Sequence, residues 1–177
     1  MIELEKIVEL LPREKKFFDF IQGQSFPWFF QNSTYNFSMH CHTFMKRNEA
    51  QPYSRGIVNS EHCMVAEAIF NRICEDNGVK VKTIYRLAVN STTAAAHLKG
   101  DLHVDQGAMK HRVFLMYLNE FSEGPTYIYL GKNYEPDVIE AAPNKVVIFD
   151  GEVHAQGFCK VGERRLVFVA TFNAREE

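Results

Sequence analysis

Beyond Gly78 the chain shows no stretch of helical periodicity, and this constrains its fold more than any other feature. Residues 79–90 (VKVKTIYRLAVN) alternate apolar and polar positions, and 111–119, 126–130, 145–150 and 164–172 are short apolar runs bounded by Gly, Pro or Asn. Runs of this length and punctuation are expected to be strands. Parallel strands need crossover helices, and none remain, so a βαβ series is excluded. The expected fold is mainly β, an antiparallel sandwich or barrel with flanking helices.

The front part, 1–78, is expected to be helical or irregular and to pack outside the strands. Its clearest helix is 61–75, where Met64, Val65, Ala68, Ile69, Arg72 and Ile73 recur at helical spacing. Ser60 stands as N-cap and Asn77-Gly78 as the stop. Residues 14–21 suggest a short helix. Residues 2–11 fit a strand or a brief helix until Pro12 ends them. The aromatic run Pro27-Trp28-Phe29-Phe30 reads as a core plug. A length of 177 residues suits one domain, 1–177, with a strand core over about 79–173.

The 20 basic and 22 acidic residues form no long run of one sign, so a nucleic-acid partner is not expected. No segment approaches the roughly 20 apolar residues of a membrane helix. The acidic start MIELEK lacks the order of a signal peptide, which makes a cytoplasmic location the expectation. Cys41, Cys63, Cys74 and Cys159 show no CxxC pairing and read as small buried apolar residues.

The chemistry concentrates at Leu102-His103-Val104-Asp105. On an extended backbone residues i and i+2 point the same way, so His103 and Asp105 can offer a nitrogen and an oxygen to one point. His154 follows the KVVIFD run. Two His and one carboxylate leave half of a metal's coordination sphere open, the arrangement suited to non-haem Fe(II). The plain alternative for either His is a hydrogen-bonded residue at a strand end. His62, His97 and His111 read as surface or strand-end residues, with His97 placed to approach substrate. His40 and His42, around Cys41, have no partner pair at zinc-finger spacing.

The order RLAVN (86–90), HVD (103–105), MYLN (116–119), GPT (124–126), PNKVVIFD (143–150), His154 and RRLVFVATF (164–172) resembles the 2-oxoglutarate- and Fe(II)-dependent oxygenases. The likeness is greatest to their prolyl-hydroxylase-like branch and its phage and marine microbial members, and FPWFF (26–30) adds to it. It covers about half the chain.

The resemblance implies a double-stranded β-helix (jelly-roll) core, with His103, Asp105 and His154 as catalytic iron ligands. Fe(II), 2-oxoglutarate as co-substrate and O2 follow from it, with ascorbate as an accessory. An Arg of the last strand would hold the distal carboxylate of 2-oxoglutarate, because a guanidinium offers two parallel donors. Adjacent strand residues face opposite ways, so only one of Arg164 and Arg165 can point inward. The resemblance favours Arg165, since the family's Arg is followed directly by an apolar strand as in Arg165-Leu166-Val167, with Arg164 as the alternative. Tyr117 would donate to the same carboxylate, unless it is only an inward core aromatic, and Asn90 would line the pocket.

Glu123-Gly124-Pro125-Thr126 departs from the Gly-Gly-x-Thr of many relatives, so the loop beside the metal is expected to differ. The implied substrate is a peptidyl prolyl or other protein side chain. A free amino acid or small metabolite is the second reading, and nucleic-acid demethylation is a distant third. The rivals to an oxygenase are a non-catalytic cupin-like metal- or ligand-binding module and a plain capsid- or lectin-like jelly roll.

Overall fold

The apolar runs of the back half become strands, and every strand pairing among the described residues is antiparallel. The computed structural model describes residues 1–34, 37–107, 109–131 and 135–175. In chain order the elements are β1 (Ile2–Ile7), α1 (Pro12–Gln22), β2 (Phe29–Thr34), β3 (Phe37–Lys46), β4 (Ile57–Val58) and α2 (Cys63–Asp76). There follow β5 (Val81–Thr93), β6 (Arg112–Tyr117), β7 (Thr126–Tyr129), β8 (Asp137–Ile139), β9 (Lys145–Asp150), β10 (Val153–Gln156) and β11 (Arg164–Ala174). The major sheet runs β1-β9-β6-β11-β5-β3-β2, with β4 beside β3, and a three-stranded sheet runs β10-β7-β8. Two antiparallel sheets with helices outside are the expected jelly-roll architecture.

Period-2 alternation assigns the two faces of the major sheet. Leu87 and Val89 of β5 join Leu166, Phe168, Ala170 and Phe172 of β11 on the face that α1 and α2 cover. Phenyl rings fill that interface edge-on: Phe70 meets Phe114 and Phe172 at centroid distances of 5.2 Å, and Phe18 meets Phe168 at 5.6 Å. Edge-to-face packing of this kind adds roughly 0.5–1.5 kcal/mol per pair beyond area burial. The buried Glu14 of α1 is clasped by Arg72 of α2, with Nε and Nη2 each 2.7 Å from one carboxylate oxygen. The opposite face carries Val113, Leu115, Tyr117, Val147, Phe149 and Val167, which pack towards the minor sheet.

The front part departs from expectation. Residues 1–78 hold β1 to β4 besides the two helices, so this stretch is built into the sheet. Ile2–Ile7 settles as a strand because it pairs with β9. The ten residues of β3 were hidden by interleaved Ser, His and Thr and by a register shift between Thr43 and Met45 that breaks the alternation.

Of the Pro27-Trp28-Phe29-Phe30 run only Trp28 packs against the core. Phe29 and Phe30 are 62% and 61% exposed, because β2 is the edge of the sheet. The buried stripe of α2 is Cys63, Ala66, Ile69, Phe70, Ile73 and Cys74, while Met64 and Val65 face outward. Ser60 lies just before the helix, where its hydroxyl accepts the His62 N–H at 3.2 Å. All four cysteines are buried and free. Among the described residues no helix is long and apolar enough to cross a membrane.

Candidate metal centre

His103 and Asp105 do not lie on a regular strand. They sit in the connection between β5 and β6, which isolated bridges tie to β10 at His103–His154 and to the residue after it at Lys99–Gly157. His154 is on β10 itself, where β7 pairs with it through Ile128. One ligand atom from each of His103, Asp105 and His154 lies within 4.8 Å of the others. The imidazole centroids are 4.4 Å apart, and His154 Nε2 is 3.8 Å from Asp105 Oδ2.

The second nitrogen of each ring is fixed from behind. His103 Nδ1 is 3.0 Å from the Asp101 carbonyl and His154 Nδ1 is 2.9 Å from the Glu152 carbonyl. A carbonyl only accepts, so Nδ1 carries the proton and Nε2 keeps its lone pair towards the gap, the tautomer a metal requires. Two imidazole nitrogens and a carboxylate converging at this spacing fit a divalent cation such as Fe(II).

Burial alone would raise the Asp105 carboxyl, but the nearby charges of His154, Arg86, His103 and Arg47 outweigh it and hold the group below its usual range. Burial lowers His154, helped by His103 and His111 and opposed by Asp105 and the Glu152 carbonyl. A neutral imidazole and an ionised carboxylate are the forms that bind metal. The turn before His154 is tight. His111 is buried at a strand end, its carbonyl accepts the Gly151 N–H at 2.8 Å, and a Cβ on Gly151 would overlap its ring.

The chamber beside the triad is lined by Arg165, Thr126 and Asn90 together with Val113, Leu115, Val167 and Val169. Alternation on β11 turns the two arginines to opposite faces. Arg165 shares the chamber face with Val167, whereas Arg164 lies over the Trp28 ring and donates to the Gln22 carbonyl at 3.0 Å. Arg165 is 1% exposed. Its Nε donates to the Gly124 carbonyl and its Nη2 to Thr126 Oγ1, both at 3.0 Å. It has no carboxylate partner among the described residues.

Burial pulls the Arg165 guanidinium below its ordinary value, with Tyr117 opposing the shift, yet a guanidinium stays cationic at neutral pH. Tyr117 is fully buried and its hydroxyl lies 2.7 Å from Thr126 Oγ1, one hydrogen bond removed from Arg165. The departure at Pro125 has a visible outcome. Glu123 and Gly124 adopt positive φ, which turns the Gly124 carbonyl to Arg165, and the Pro125 carbonyl accepts from Gly157 at 2.6 Å.

Beyond the triad the chamber opens into a vestibule lined by Arg47, Arg86, Gln31, Phe37, Met39 and Gln156. Arg47 Nη2 is 3.6 Å from Asp105 Oδ1. Sequence reasoning missed Arg86 and Gln156, although alternation would have found both. Arg86 is four residues before Asn90 on β5, and Gln156 is two after His154 on β10. His97 is exposed, outside the residues that line chamber and vestibule. His42 is not poised for a metal, because its ring nitrogens are each 2.8 Å from the Pro27 carbonyl and the Ser60 hydroxyl.

The fold is that of the 2-oxoglutarate- and Fe(II)-dependent oxygenases. An oxidoreductase of this family from Burkholderia pseudomallei superposes with a TM-score of 0.69 at 15% identity, covering 92% of this chain and 79% of that one. A prolyl-4-hydroxylase from Pseudomonas putida superposes with a TM-score of 0.61 at 14% identity, covering 98% and 92%. The non-haem α-ketoglutarate-dependent epimerase SnoN of nogalamycin biosynthesis gives 0.62 at 14% identity, covering 96% and 76%. No protein-family model matches the chain, and no curated protein matches it by sequence.

Proposed function

We propose that the chain is an Fe(II)- and 2-oxoglutarate-dependent dioxygenase that hydroxylates a C–H bond of a peptidyl prolyl or other protein side chain. One observation carries the co-substrate assignment: a buried arginine without a carboxylate partner among the described residues, in the chamber that the metal triad opens onto. A buried cation is costly unless an anion meets it, so Arg165 implies a ligand carboxylate at the chamber floor.

On this reading His103 Nε2, His154 Nε2 and a carboxylate oxygen of Asp105 hold the iron. The Asp101 and Glu152 carbonyls keep both rings in the metal-binding tautomer. Arg165 receives the distal carboxylate of 2-oxoglutarate, and Thr126 and Tyr117 hold the guanidinium in place. Val113, Leu115, Val167 and Val169 keep water from the co-substrate chain. When bound, iron and 2-oxoglutarate supply the oxidation, in which O2 places one oxygen in succinate, released with CO2, and the other on the substrate carbon.

The prolyl-4-hydroxylase likeness supports a prolyl side chain. Hydroxylation of a free amino acid or small metabolite is the second reading, favoured by the two arginines of the vestibule, which suit a charged small molecule. The test is aerobic incubation with Fe(II), 2-oxoglutarate and fractionated peptides or metabolites. Succinate is expected in step with a product heavier by one oxygen. Metal and 2-oxoglutarate binding with no succinate from any fraction would instead favour a non-catalytic binding module.

A further inference from the structure

Arg86 is a charged group at the chamber that helps to keep Asp105 ionised but binds neither iron nor co-substrate in the proposed scheme. It is half-buried on β5 and lines both chamber and vestibule. Its one hydrogen-bonding partner among the described residues is the Cys41 thiol, 3.9 Å from Nη2, and sulfur is a weak acceptor. Among the described residues Asp105 is the only acid that lines chamber or vestibule, against Arg47, Arg86 and Arg165. An iron dication and a 2-oxoglutarate dianion cancel, so the loaded site keeps three guanidinium groups against one carboxylate. Charge of one sign in a narrow cleft draws the opposite sign in.

Two further polar atoms point to a ligand at the same place. Asn90 Oδ1 and Gln156 Nε2 are buried without a hydrogen-bond partner among the described residues, and both residues line chamber and vestibule beside Arg86. Buried polar atoms left unpaired cost free energy, and a ligand with a donor and an acceptor removes that cost.

We propose that Arg86 is a substrate-binding residue that takes a carboxylate of an anionic substrate, while Gln156 and Asn90 hydrogen-bond the neutral groups next to it. The inference rests on the oxygenase reading and narrows its substrate class. A guanidinium fork matches a carboxylate with two parallel donors. Arg86 between neutral amides suits one negative charge, and among the described residues no acid besides Asp105 lines chamber or vestibule to meet an α-ammonium, Glu49 sharing with Arg86 only a separate surface cavity. The substrate is therefore net negative at this point, either a small N-acylated acid or an acidic residue within a peptide.

The test is NMR on the 15N-labelled chain loaded with Zn(II) and 2-oxoglutarate, following arginine Nε–H signals and the side-chain amides of Asn90 and Gln156. Two matched probe pairs are titrated. One is N-acetyl-L-proline against N-acetyl-L-prolinamide, and the other is capped Ala-Asp-Pro-Ala against capped Ala-Asn-Pro-Ala. The acid member of at least one pair is expected to shift the Arg86, Asn90 and Gln156 signals at concentrations about tenfold below its amide.

A response to the first pair assigns a small acid, and a response to the second an acidic peptide. In R86Q the Asn90 and Gln156 response to the acid is expected to weaken at least about tenfold, and R86K to retain part of it. No response to either acid, equal responses to acid and amide, or an undiminished response in R86Q overturns the inference. The Arg165 signal reports separately on 2-oxoglutarate. If it stays still when 2-oxoglutarate is added, the oxygenase reading has failed, and the Arg86 result is still read on its own.

Discussion

His103 and His154 are joined through their backbones, the N–H of His103 donating to the His154 carbonyl at 3.0 Å and the N–H of His154 to the His103 carbonyl at 2.9 Å. This reciprocal pair anchors an otherwise irregular connection to β10 at the point where the two imidazoles must converge. The two side chains are thus placed by the chain itself, before any cation arrives. Both amides are expected to be protected from hydrogen exchange in the metal-free protein. Exchange as fast as in exposed loops without metal, slowing only on metal addition, would show that the cation builds the site.

Arg165 makes opposite demands on stability and on binding. Removing an uncompensated buried cation relieves a desolvation cost, so Arg165→Met is expected to leave the unfolding midpoint of the apo protein unchanged or higher. The same change removes charge-assisted hydrogen bonds worth roughly 1.5–3 kcal/mol each, which lowers 2-oxoglutarate affinity by about tenfold to a hundredfold or more. Arg164→Met, on the helix-facing side, is expected to leave that affinity alone. Thermal unfolding with 2-oxoglutarate titration of both variants checks the contrast.

Gly151 and His111 set the turn that leads into His154. A Cβ at Gly151 would overlap the buried His111 ring, so Gly151→Ala is expected to cost about 1–3 kcal/mol of stability and to weaken metal binding by moving the Glu152 carbonyl. His111→Ala in the same chain removes the obstacle and is expected to restore much of the metal affinity. Metal titration of the single and double variants decides it, and an absence of rescue counts against the coupling.

Two histidines make the apo protein acid-sensitive. Burial holds His42 below its ordinary value against the Pro27 carbonyl, with His62 adding to the depression. Burial likewise leads the lowering of His154. The unfolded chain takes up these protons near pH ~6.5, the folded chain only at lower pH. Over that interval the unfolded state binds more protons, so stability falls as pH drops and levels off only below the folded values. The depressed Asp105 removes further stability in more acidic solution. Urea midpoints of metal-free protein are expected to fall between about pH 7.5 and about pH 5.5, with a shallower fall in His42→Gln. A flat profile contradicts this.

Much of the strand core was legible because its strands are apolar runs whose burial follows one simple period. The site was legible where that period applies. Alternation on β11 puts Arg165 and Arg164 on opposite faces, whereas His103 and Asp105 come together in an irregular connection and not on the extended strand that their spacing suggests. The front part was harder to read. In β3 the polar residues and a register shift blur the period, and β2 keeps Phe29 and Phe30 in solvent at a sheet edge, so apolarity there does not mean burial. The stripe of α2 was misplaced because Met64 and Val65 are as apolar as the residues it buries. Arg86 was overlooked because an arginine in an alternating strand reads as a solvated charge until the opposing sheet encloses it.

Anaerobic titration of the purified chain with Fe(II) and then 2-oxoglutarate, read by visible absorption, tests the centre most directly. A weak charge-transfer band is expected once both are present. Its loss is expected in His103→Ala, Asp105→Ala and His154→Ala, each with metal affinity lowered by more than the roughly 10–100-fold that loss of a supporting hydrogen bond costs. An undiminished band in His154→Ala, or no band in the unaltered chain at saturating iron and 2-oxoglutarate, would contradict the proposed centre.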